Sequence, residues 1–397
     1  MPLEEKMLSA EIAERYFDWA ATAIPDEEIL REALEESLDF WQNPSSAHSH
    51  GKRAKAALDE ARKKCARAFY ARAENIFFTS GGTEANHIPL LSILNRPERG
   101  EILFSSIEHP AVREMSLELK HCGFSVRQIP CDKRGIVTAQ NVRECLTDET
   151  LFVSVMAVNN ETGAIQPIDE IARTLDDFYK GRRRPKFHVD CVQALGKIPL
   201  DISKCGIDSA AASAHKICGP RGIGVLYLKN PIEPFLRGGG QEGGIRSGTE
   251  NLFGAAAFAK CIERYAGNSF LEKFEAQKKL AADFIKRLST IKSCRVIPPA
   301  RAENPSDENF SPWIVQASFG GIPGNVMLRA LDAKGFAIST GSACSSKKAS
   351  RPVLEAMGIE KDLRENSVRF SFGPMTTAHA MNELFAEVKS ICEQFAL

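Results

Sequence analysis

The sequence predicts an α/β protein with a mostly parallel sheet covered by helices, followed by a smaller α+β part. From about residue 27 to residue 265, short apolar runs alternate with amphipathic stretches, which is typical of buried parallel strands joined by helices. Two segments, Ser213-Ala-His-Lys216 and His188-Val-Asp190, lie at the ends of such runs. Since parallel sheets bind ligands beyond the carboxyl ends of their strands, both segments indicate a site there.

The apolar runs predict six strands in this first part, and a small-residue run at 209–214 predicts a further buried strand end. The six are Ile76–Thr79, Ile102–Ser105, Ser125–Ile129, Leu151–Met156, Phe187–Val189 and Gly224–Leu228. Helical periodicity predicts helices at Gly51–Phe69, Glu84–Leu94, Asp169–Tyr179 and, with a break near Gly267, Asn251–Ile291. After a Pro- and Asn-rich loop at 298–312, the remainder predicts strands at Ile314–Phe319 and Ser367–Phe372 and helices at Asn325–Lys334 and Ala378–Phe395.

The composition excludes several classes of protein. Among 397 residues, 51 Lys and Arg balance 51 Asp and Glu, which argues against bulk attraction to nucleic acid or anionic lipid. The longest apolar run, Leu151–Val158, is too short to span a bilayer, and residues 1–14 carry four glutamates where a signal or transit peptide would not. The 11 cysteines are scattered without a Cys-x-x-Cys pair. We therefore expect a cytoplasmic protein with reduced thiols, no metal site and no membrane or nucleic-acid partner.

The lysine at position 216 and the aspartate at position 190 form the most informative pair. A lysine at a buried strand end is costly as an ammonium ion and can lose its proton, as a Schiff-base lysine must. An aspartate at another strand end can keep a pyridine nitrogen protonated. A single lysine near a core strand is usually a surface residue, but the pair predicts a site for pyridoxal phosphate.

Three further motifs follow predicted strands. Thr79-Ser-Gly-Gly-Thr-Glu84 opens a helix and is either a simple helix cap or, beside Lys216, a phosphate cradle. His109, in Glu-His-Pro, is either a structural histidine or a ring that stacks on a heteroaromatic cofactor and exchanges protons. Asn160, in Asn-Asn-Glu-Thr-Gly, belongs to a plain turn or directs its amide at the cofactor and substrate.

Three motifs lie outside the strand–helix pattern. The Gly-rich segment 238–249 does not follow a strand and open a helix, so it is not a dinucleotide-binding motif. It predicts a mobile loop that brings a hydroxyl or guanidinium group to an active site. Cys344, among Gly, Ser and Ala and before two lysines, predicts a reactive thiol on an exposed loop, with a buried cysteine in a turn as the alternative. Arg369, in an alternating strand, is a surface charge or a clamp for a substrate carboxylate.

Taken together, these motifs resemble the cysteine desulfurases of the class V aminotransferase group, which are fold-type I pyridoxal-phosphate enzymes. The resemblance covers nearly the whole chain and includes Tyr16–Thr22, Asn43–His48, Gly341–Cys344 and Val368–Ser371. It implies a fold-type I PLP-dependent transferase with a mostly parallel seven-stranded sheet. It also implies a large PLP-binding domain at 26–262 and a small domain, at 1–25 and 263–397, that carries the cysteine loop.

The resemblance implies a role for each candidate residue. Lys216 holds the cofactor aldehyde and removes the substrate Cα proton, Cys344 forms a persulfide, and His109 stacks on the ring and carries a proton. Asp190 pairs with the pyridine nitrogen and Gln193 contacts the ring hydroxyl. The implied phosphate ligands are Gly82, Thr83, Ser213, His215 and, from a neighbouring subunit of an obligate homodimer, Thr249. The implied substrate ligands are Asn43, Asn160 and Arg369.

The implied activity is removal of sulfur from L-cysteine to give L-alanine and a persulfide for an acceptor protein, such as an iron–sulfur scaffold or a thio-cofactor enzyme. The alternatives are a selenocysteine lyase acting on L-selenocysteine, another class V enzyme, and a non-catalytic sulfur-delivery scaffold. Two segments depart from the family pattern. Trp19 stands where the family has Asn, and Gln241–Ile245 stands where it more often has His-Glu and a basic residue.

Overall fold

A seven-stranded sheet forms the centre of the larger part of the molecule. The computed structural model describes residues 13–341 and 351–395, and the strand order of this sheet is β1-β7-β6-β5-β4-β2-β3. The strands are β1 (Ile76–Thr79), β2 (Glu101–Ser105), β3 (Ser125–Ile129), β4 (Thr150–Ser154), β5 (Lys186–Asp190), β6 (Ser209–Ser213) and β7 (Gly224–Leu228).

Most neighbouring strands of this sheet are parallel. The pairs β2–β3, β2–β4, β4–β5 and β5–β6 are parallel, whereas β6–β7 and β1–β7 are antiparallel. The carboxyl ends of β4, β5 and β6 therefore lie side by side at one edge of the sheet. The prediction of a mostly parallel seven-stranded sheet is confirmed.

Helices cover this sheet with their apolar residues. In the helix Ile168–Phe178, for example, the buried residues are Ile168, Ile171, Ala172 and Leu175, which follow the 3.6-residue period of one helix face. The helices of this part are Glu27–Asp39, Ser49–Ala68, Gly82–Leu91, Pro110–His121, Ala139–Cys145, Ile168–Phe178 and Leu252–Tyr265.

Small residues let the helix Gly82–Leu91 approach the sheet closely. The strand β6 has the sequence Ser-Ala-Ala-Ala-Ser and is buried throughout. A Cβ atom on Gly224, at the start of β7, would lie 2.6 Å from the backbone carbon of Gly81, and one on Gly82 would lie 2.7 Å from Cγ2 of Val192. Glycine is therefore required at these positions to bring the helix N-terminus to the end of the sheet.

The second part of the molecule contains an antiparallel sheet ordered β10-β9-β8. Its strands are β8 (Cys294–Ile297), β9 (Ile314–Phe319) and β10 (Ser367–Ser371). The accompanying helices are Phe270–Leu288, Ala300–Glu303, Gly324–Asp332, Pro352–Ala356, Lys361–Glu365 and Ala378–Gln394.

Each sheet has its own apolar core. The core of the second part includes an aromatic cluster in which Phe284 makes edge-to-face contacts with Phe370 and Phe372, at ring-centroid distances of 5.5 and 5.6 Å. Phe17 joins this core from the amino-terminal segment. We keep the division into residues 26–262 and the rest as a proposal, which the separate cores support.

The sequence predicted most of these elements, but it missed β8. This strand has only four residues, and the helical prediction Asn251–Ile291 ended three residues before it. The predicted break near Gly267 lies between the helices Leu252–Tyr265 and Phe270–Leu288. No helix within the described ranges is long and apolar enough to cross a bilayer.

Trp19, the residue that departs from the family pattern, is a core residue of the amino-terminal segment. Its side chain is buried beside Ala23 and Cys218, and its indole N–H donates to the backbone oxygen of Tyr16 at 2.8 Å. The ring lies directly over Gly373, where a Cβ atom would overlap it. The large side chain is thus accommodated by a glycine on a distant segment.

We expect Gly373→Ala to lower the free energy of unfolding by about 1–3 kcal/mol, because the added methyl group forces Trp19 out of its position. The measurement is thermal and urea unfolding, with Gly320→Ala as the matched control, since a Cβ atom there would make an ordinary 3.5 Å contact. Equal stability of the two variants would contradict this packing.

Candidate active site

A cavity of about 770 Å³ lies at the carboxyl ends of β5 and β6. Asp190, the last residue of β5, and Ser213, the last residue of β6, both line it. Most of the candidate residues from the sequence meet here. Those on its wall are Gly82, Thr83, His109, Asn160, Asp190, Gln193, Ser213, His215, Lys216 and Arg369.

Lys216 extends across the cavity toward the amino-terminal segment. It ends a short 3-10 turn after β6, and its Nζ donates to the backbone oxygens of Ala20 and Ala21, each at 2.7 Å. Both alanines also line the cavity. The segment after Trp19 therefore forms one wall, and it orients the lysine side chain toward the other candidate residues.

Asp190 is a buried carboxylate, and each of its two oxygens accepts a hydrogen bond. Its Oδ1 accepts from the backbone N–H of Val192 at 2.9 Å, and its Oδ2 accepts from Nδ2 of Asn86 at 2.8 Å. Only 4% of the residue is exposed. Since hydrogen bonds to the charged form favour it, these two donors stabilise the negative charge at the end of β5.

Glu108 is a second buried acid beside this carboxylate. Its Oε1 accepts from Oγ of Ser105 at 3.0 Å, while its Oε2 has no hydrogen-bond partner among the described residues. Burial, followed by the negative charge of Asp190, raises the pKa of Glu108 to about 8. At neutral pH, Glu108 is therefore mostly protonated, since two close carboxylates do not both ionise readily.

His109 caps the helix Pro110–His121 and lines the cavity. Its Nδ1 accepts from the backbone N–H of Ala111 at 3.1 Å. Burial lowers the pKa of His109; the positive charge of Lys216 lowers it further, and the charge of Asp190 opposes them. The imidazole is thus neutral at neutral pH, and because Nδ1 is an acceptor, its proton is on Nε2.

One end of the cavity is suited to an anion. Gly82 and Thr83 lie in the first turn of the helix Gly82–Leu91, whose capping residue, Gly81, provides no side-chain hydrogen bond. The backbone N–H groups of a first turn and the helix dipole both favour negative charge. Ser213 and His215 complete this end, where burial and the charge of Lys216 lower the pKa of His215 to about 3 and keep it neutral.

Gln193 is oriented by contacts on both sides of its amide. Its Nε2 donates to the backbone oxygen of Ala20 at 2.8 Å, and its Oε1 accepts from Nζ of Lys197 at 2.7 Å. Lys197 is itself buried, and burial together with the charge of Lys216 lowers its pKa to about 7. The sequence analysis assigned no role to Lys197; its only signal was the four-residue spacing from Gln193.

Arg369 lies in β10, so the second sheet contributes this residue to the wall of the cavity. Its Nη1 donates to the backbone oxygens of Asn160 and Gly341, both at 2.8 Å, and its Nη2 donates to Oδ1 of Asp18 at 2.7 Å. The guanidinium is 2% exposed, and its Nε has no partner among the described residues. Arg369 is therefore a buried cation, which excludes the alternative that it is a surface charge. Its Nε–H can donate a further hydrogen bond.

The family model for class V aminotransferases matches residues 15–384 of this chain. The chain belongs to the class V aminotransferase family. It is 35% identical over 385 residues to the cysteine desulfurase IscS of Clostridium botulinum, covering 96% of this chain and 94% of that protein.

Solved structures of the same fold agree with this family. A NifS-like protein superposes with a TM-score of 0.86 and 31% identity, covering 96% of this chain and 99% of its own. The structure of SspA in complex with cysteine superposes with a TM-score of 0.77 and 27% identity, covering 91% of this chain and all of its own.

Three of the site residues predicted for this class V aminotransferase do not lie on the described wall. Asn43 is exposed and accepts from the backbone N–H of Ser45 at 2.9 Å, and Thr249 is exposed on the segment after Arg246. Cys344 lies outside the described residues. The roles of all three stay predictions.

The Gly-rich segment 238–249 is anchored to the sheet by a buried acid. Glu242 is 6% exposed, and it accepts from two nitrogens of Arg62 at 2.6 and 2.8 Å and from the backbone N–H of Phe78 at 2.7 Å. Nearby, Nε of Arg246 donates to Glu84 at 3.1 Å. These contacts fix the segment next to the helix Gly82–Leu91, where the sequence predicted a mobile loop.

The described cysteines of this family member do not line the cavity. Most are buried, and none appears on the wall of the cavity. Burial raises the pKa of Cys218 to about 12 and that of Cys191 well above its ordinary value. Because a thiol reacts as its thiolate, neither residue is a good nucleophile.

Glu108 predicts a specific dependence of stability on pH. Its pKa is about 8 in the folded protein against an ordinary value of 4.5, so between these values only the folded state keeps the proton. This contribution to stability is complete below about pH 4.5 and is lost as the pH rises through about 8. We expect Glu108→Gln, which mimics the protonated acid, to gain stability relative to the parent as the pH rises from about 5 to about 8.5.

The measurement compares the unfolding temperatures of parent and Glu108→Gln across this range. The same difference at every pH would contradict a protonated Glu108.

Proposed function

We propose that this chain is a cysteine desulfurase, which transfers sulfur from L-cysteine to Cys344 and releases L-alanine. One observation carries the proposal. Lys216, Asp190 and His109 meet in a single cavity, and Gly341 and Pro352, which border the segment with Cys344, line the same cavity. Cys344 follows Gly341 by three residues in the sequence. The similarity to IscS of Clostridium botulinum and to SspA supports the same function.

The cavity fits pyridoxal phosphate, the cofactor that we propose for it. A phosphate suits the uncapped helix N-terminus at Gly82 and Thr83, because glycine leaves no Cβ atom in the way and the neutral His215 can donate a hydrogen bond. A protonated pyridine nitrogen suits the charged Asp190, and an aldehyde suits the amine of Lys216. Pyridoxal phosphate supplies an aldehyde that takes up an amino group and a ring that accepts the electrons of the Cα–H bond.

Lys216 has two tasks in this proposal. Its Nζ would hold the cofactor aldehyde, and as an amine it would take the proton from Cα of the substrate. The oxygens of Ala20 and Ala21, which accept from Nζ at 2.7 Å, keep the side chain within the cavity.

Cys344 and His109 complete the transfer. The thiolate of Cys344 attacks the sulfur of the substrate, the Cβ–S bond breaks, and the new S–S bond leaves a persulfide on Cys344. His109 holds a proton at Nε2, from which it can protonate the leaving carbon of the substrate. L-cysteine and a thiol thus give L-alanine and a persulfide without an external oxidant.

Arg369 is the proposed anchor of the substrate carboxylate. Its guanidinium lines the cavity, and its unpartnered Nε leaves a donor for a second carboxylate beside Asp18. Asn160, whose backbone oxygen accepts from Arg369 at 2.8 Å, lies next to this position. Asn43 is proposed to approach it from the segment before the helix Ser49–Ala68.

We also propose that the protein acts as a cytoplasmic homodimer and passes its persulfide sulfur to an acceptor protein for iron–sulfur or thio-cofactor assembly. Thr249 is exposed and lies outside the described cavity, so its expected phosphate contact requires a second copy. The apolar side chains of Phe235 and Leu236, which are 49% and 66% exposed near this segment, support an interface there.

The decisive test incubates the purified protein with L-cysteine, followed by mass spectrometry and alanine quantification. We expect alanine and a Cys344 peptide that is heavier by one sulfur atom. Cys344→Ala should retain the bound cofactor and make neither product, whereas the matched control Cys122→Ala, which removes an exposed thiol, should behave like the parent. Turnover by Cys344→Ala at the parental rate would place the nucleophile elsewhere, and activity restricted to L-selenocysteine would indicate a lyase.

Lys216→Ala should abolish both the visible absorbance of the bound cofactor and all turnover, because Lys216 is the only lysine among the described residues that line the cavity. The measurement is the absorbance spectrum after reconstitution with pyridoxal phosphate, together with the alanine assay. A Lys216→Ala protein with normal activity would contradict the assignment.

A further inference from the structure

A row of buried polar side chains leads away from Asp190 into the interior of the protein. It consists of Asn86 on the helix Gly82–Leu91, His188 on β5 and Ser209 on β6. Their exposed fractions are 1%, 1% and 3%. Three polar side chains in an apolar interior are costly unless each is hydrogen-bonded, so their partners define what the row can do.

The hydrogen bonds of this row are continuous. Nδ2 of Asn86 donates to Oδ2 of Asp190 at 2.8 Å, Oδ1 of Asn86 lies 2.8 Å from Nε2 of His188, and Nδ1 of His188 lies 2.8 Å from Oγ of Ser209. The fold produces this line directly. His188 and Asp190 are two residues apart and so share a face of β5, and His188 pairs with Ser209 in the parallel register.

His188 is neutral. Burial lowers its pKa to about 3, and its ring stacks on that of Phe152 at a centroid distance of 6.1 Å. The two nitrogens of the imidazole face Asn86 and Ser209, and neither makes a hydrogen bond to a carboxylate of the described residues. A neutral imidazole carries one proton, so one nitrogen is a donor and the other an acceptor.

The charge on Asp190 decides which nitrogen carries that proton. A carboxylate only accepts, so the Asn86 amide must direct its Nδ2 toward Asp190 and its Oδ1 toward His188. That oxygen needs a donor, so Nε2 of His188 is protonated. Nδ1 is then an acceptor, and the hydroxyl group of Ser209 donates a hydrogen bond to it. In every hydrogen bond of the row, the donor thus lies on the side farther from Asp190 and the acceptor on the side nearer to it.

We propose that His188, acting through Asn86 and supported by Ser209, is a positioning residue that holds Asp190 ionised and correctly oriented. This inference rests on the proposed function, because the task of Asp190 is to keep the cofactor nitrogen protonated. Aligned donors strengthen one another in a buried network. Removing the donor at Nε2 lets the Asn86 amide rotate, and a rotated amide presents its oxygen to the carboxylate and favours the protonated acid.

The first test needs neither cofactor nor activity. Nitrogen-15 NMR of the cofactor-free protein distinguishes a protonated from an unprotonated imidazole nitrogen, and His188→Gln identifies the signals by their loss. We expect His188 to be neutral with its proton on Nε2. A proton on Nδ1, or on both nitrogens, would overturn the proposal.

The second test uses the holoenzyme with pyridoxal phosphate labelled at its ring nitrogen. We expect a protonated ring nitrogen in the parent, a shift toward the unprotonated signal in His188→Leu, and a roughly tenfold higher dissociation constant for the cofactor, the typical cost of a lost hydrogen bond to a charged group. His188→Gln, whose amide can still donate, should restore the parental signal in part. An unchanged ring-nitrogen signal in His188→Leu would refute the proposal.

His87→Leu is the matched control. It removes a histidine next to Asn86 whose Nε2 contacts the backbone oxygen of Ala111 at 2.9 Å, outside the row, so it should leave the ring-nitrogen signal unchanged. If His188→Leu does not fold, Ser209→Ala removes only the last donor and should shift the signal less in the same direction. A parent that makes no persulfide while His188 shows the expected tautomer would refute the desulfurase function and leave the row intact.

Discussion

The burial of a carboxylate at the end of β5 constrains the rest of the structure. A charged Asp190 is stable in this interior only because the backbone N–H of Val192 and the Asn86 amide donate to it, and a bound cation-like ring would complete its partners. Burial is the main cause of the raised pKa of Glu108, and the charge of Asp190 raises it further. The same charge opposes the effect of burial on His109, whose pKa is nevertheless lowered. One buried negative charge therefore contributes to the pKa of two ionisable neighbours.

The amino-terminal segment connects this site to the second sheet. The backbone of Ala20 receives hydrogen bonds from both Lys216 and Gln193, while Asp18, two residues earlier, pairs with Arg369 in β10. Trp19, between them, is fixed over Gly373. A short stretch of backbone thus aligns the lysine of one part with the arginine of the other, which explains why residues so distant in the chain line one cavity.

The sequence was sufficient for the fold class and for most of the candidate site, because strand ends are visible as apolar runs that stop at a polar residue. Asp190, Ser213 and Lys216 were predictable for that reason. The sequence did not reveal the roles of Asn86, His188 and Lys197, since whether a buried polar residue faces a site or a neighbour depends on packing between elements that are far apart in the chain. The four-residue strand β8 was missed because its pattern is too short to distinguish from a loop.

Burial of most of the described thiols limits where sulfur can move within the molecule. A persulfide passes its outer sulfur to any accessible thiolate. In a chain with 11 cysteines, transfer to its own thiols therefore competes with transfer to an external acceptor. Burial keeps thiols such as Cys65, Cys218 and Cys294 protonated, with pKa values raised to about 12. If Cys344 carries a persulfide, as we propose, these protonated core thiols are poor acceptors for its sulfur, which favours transfer to a partner protein.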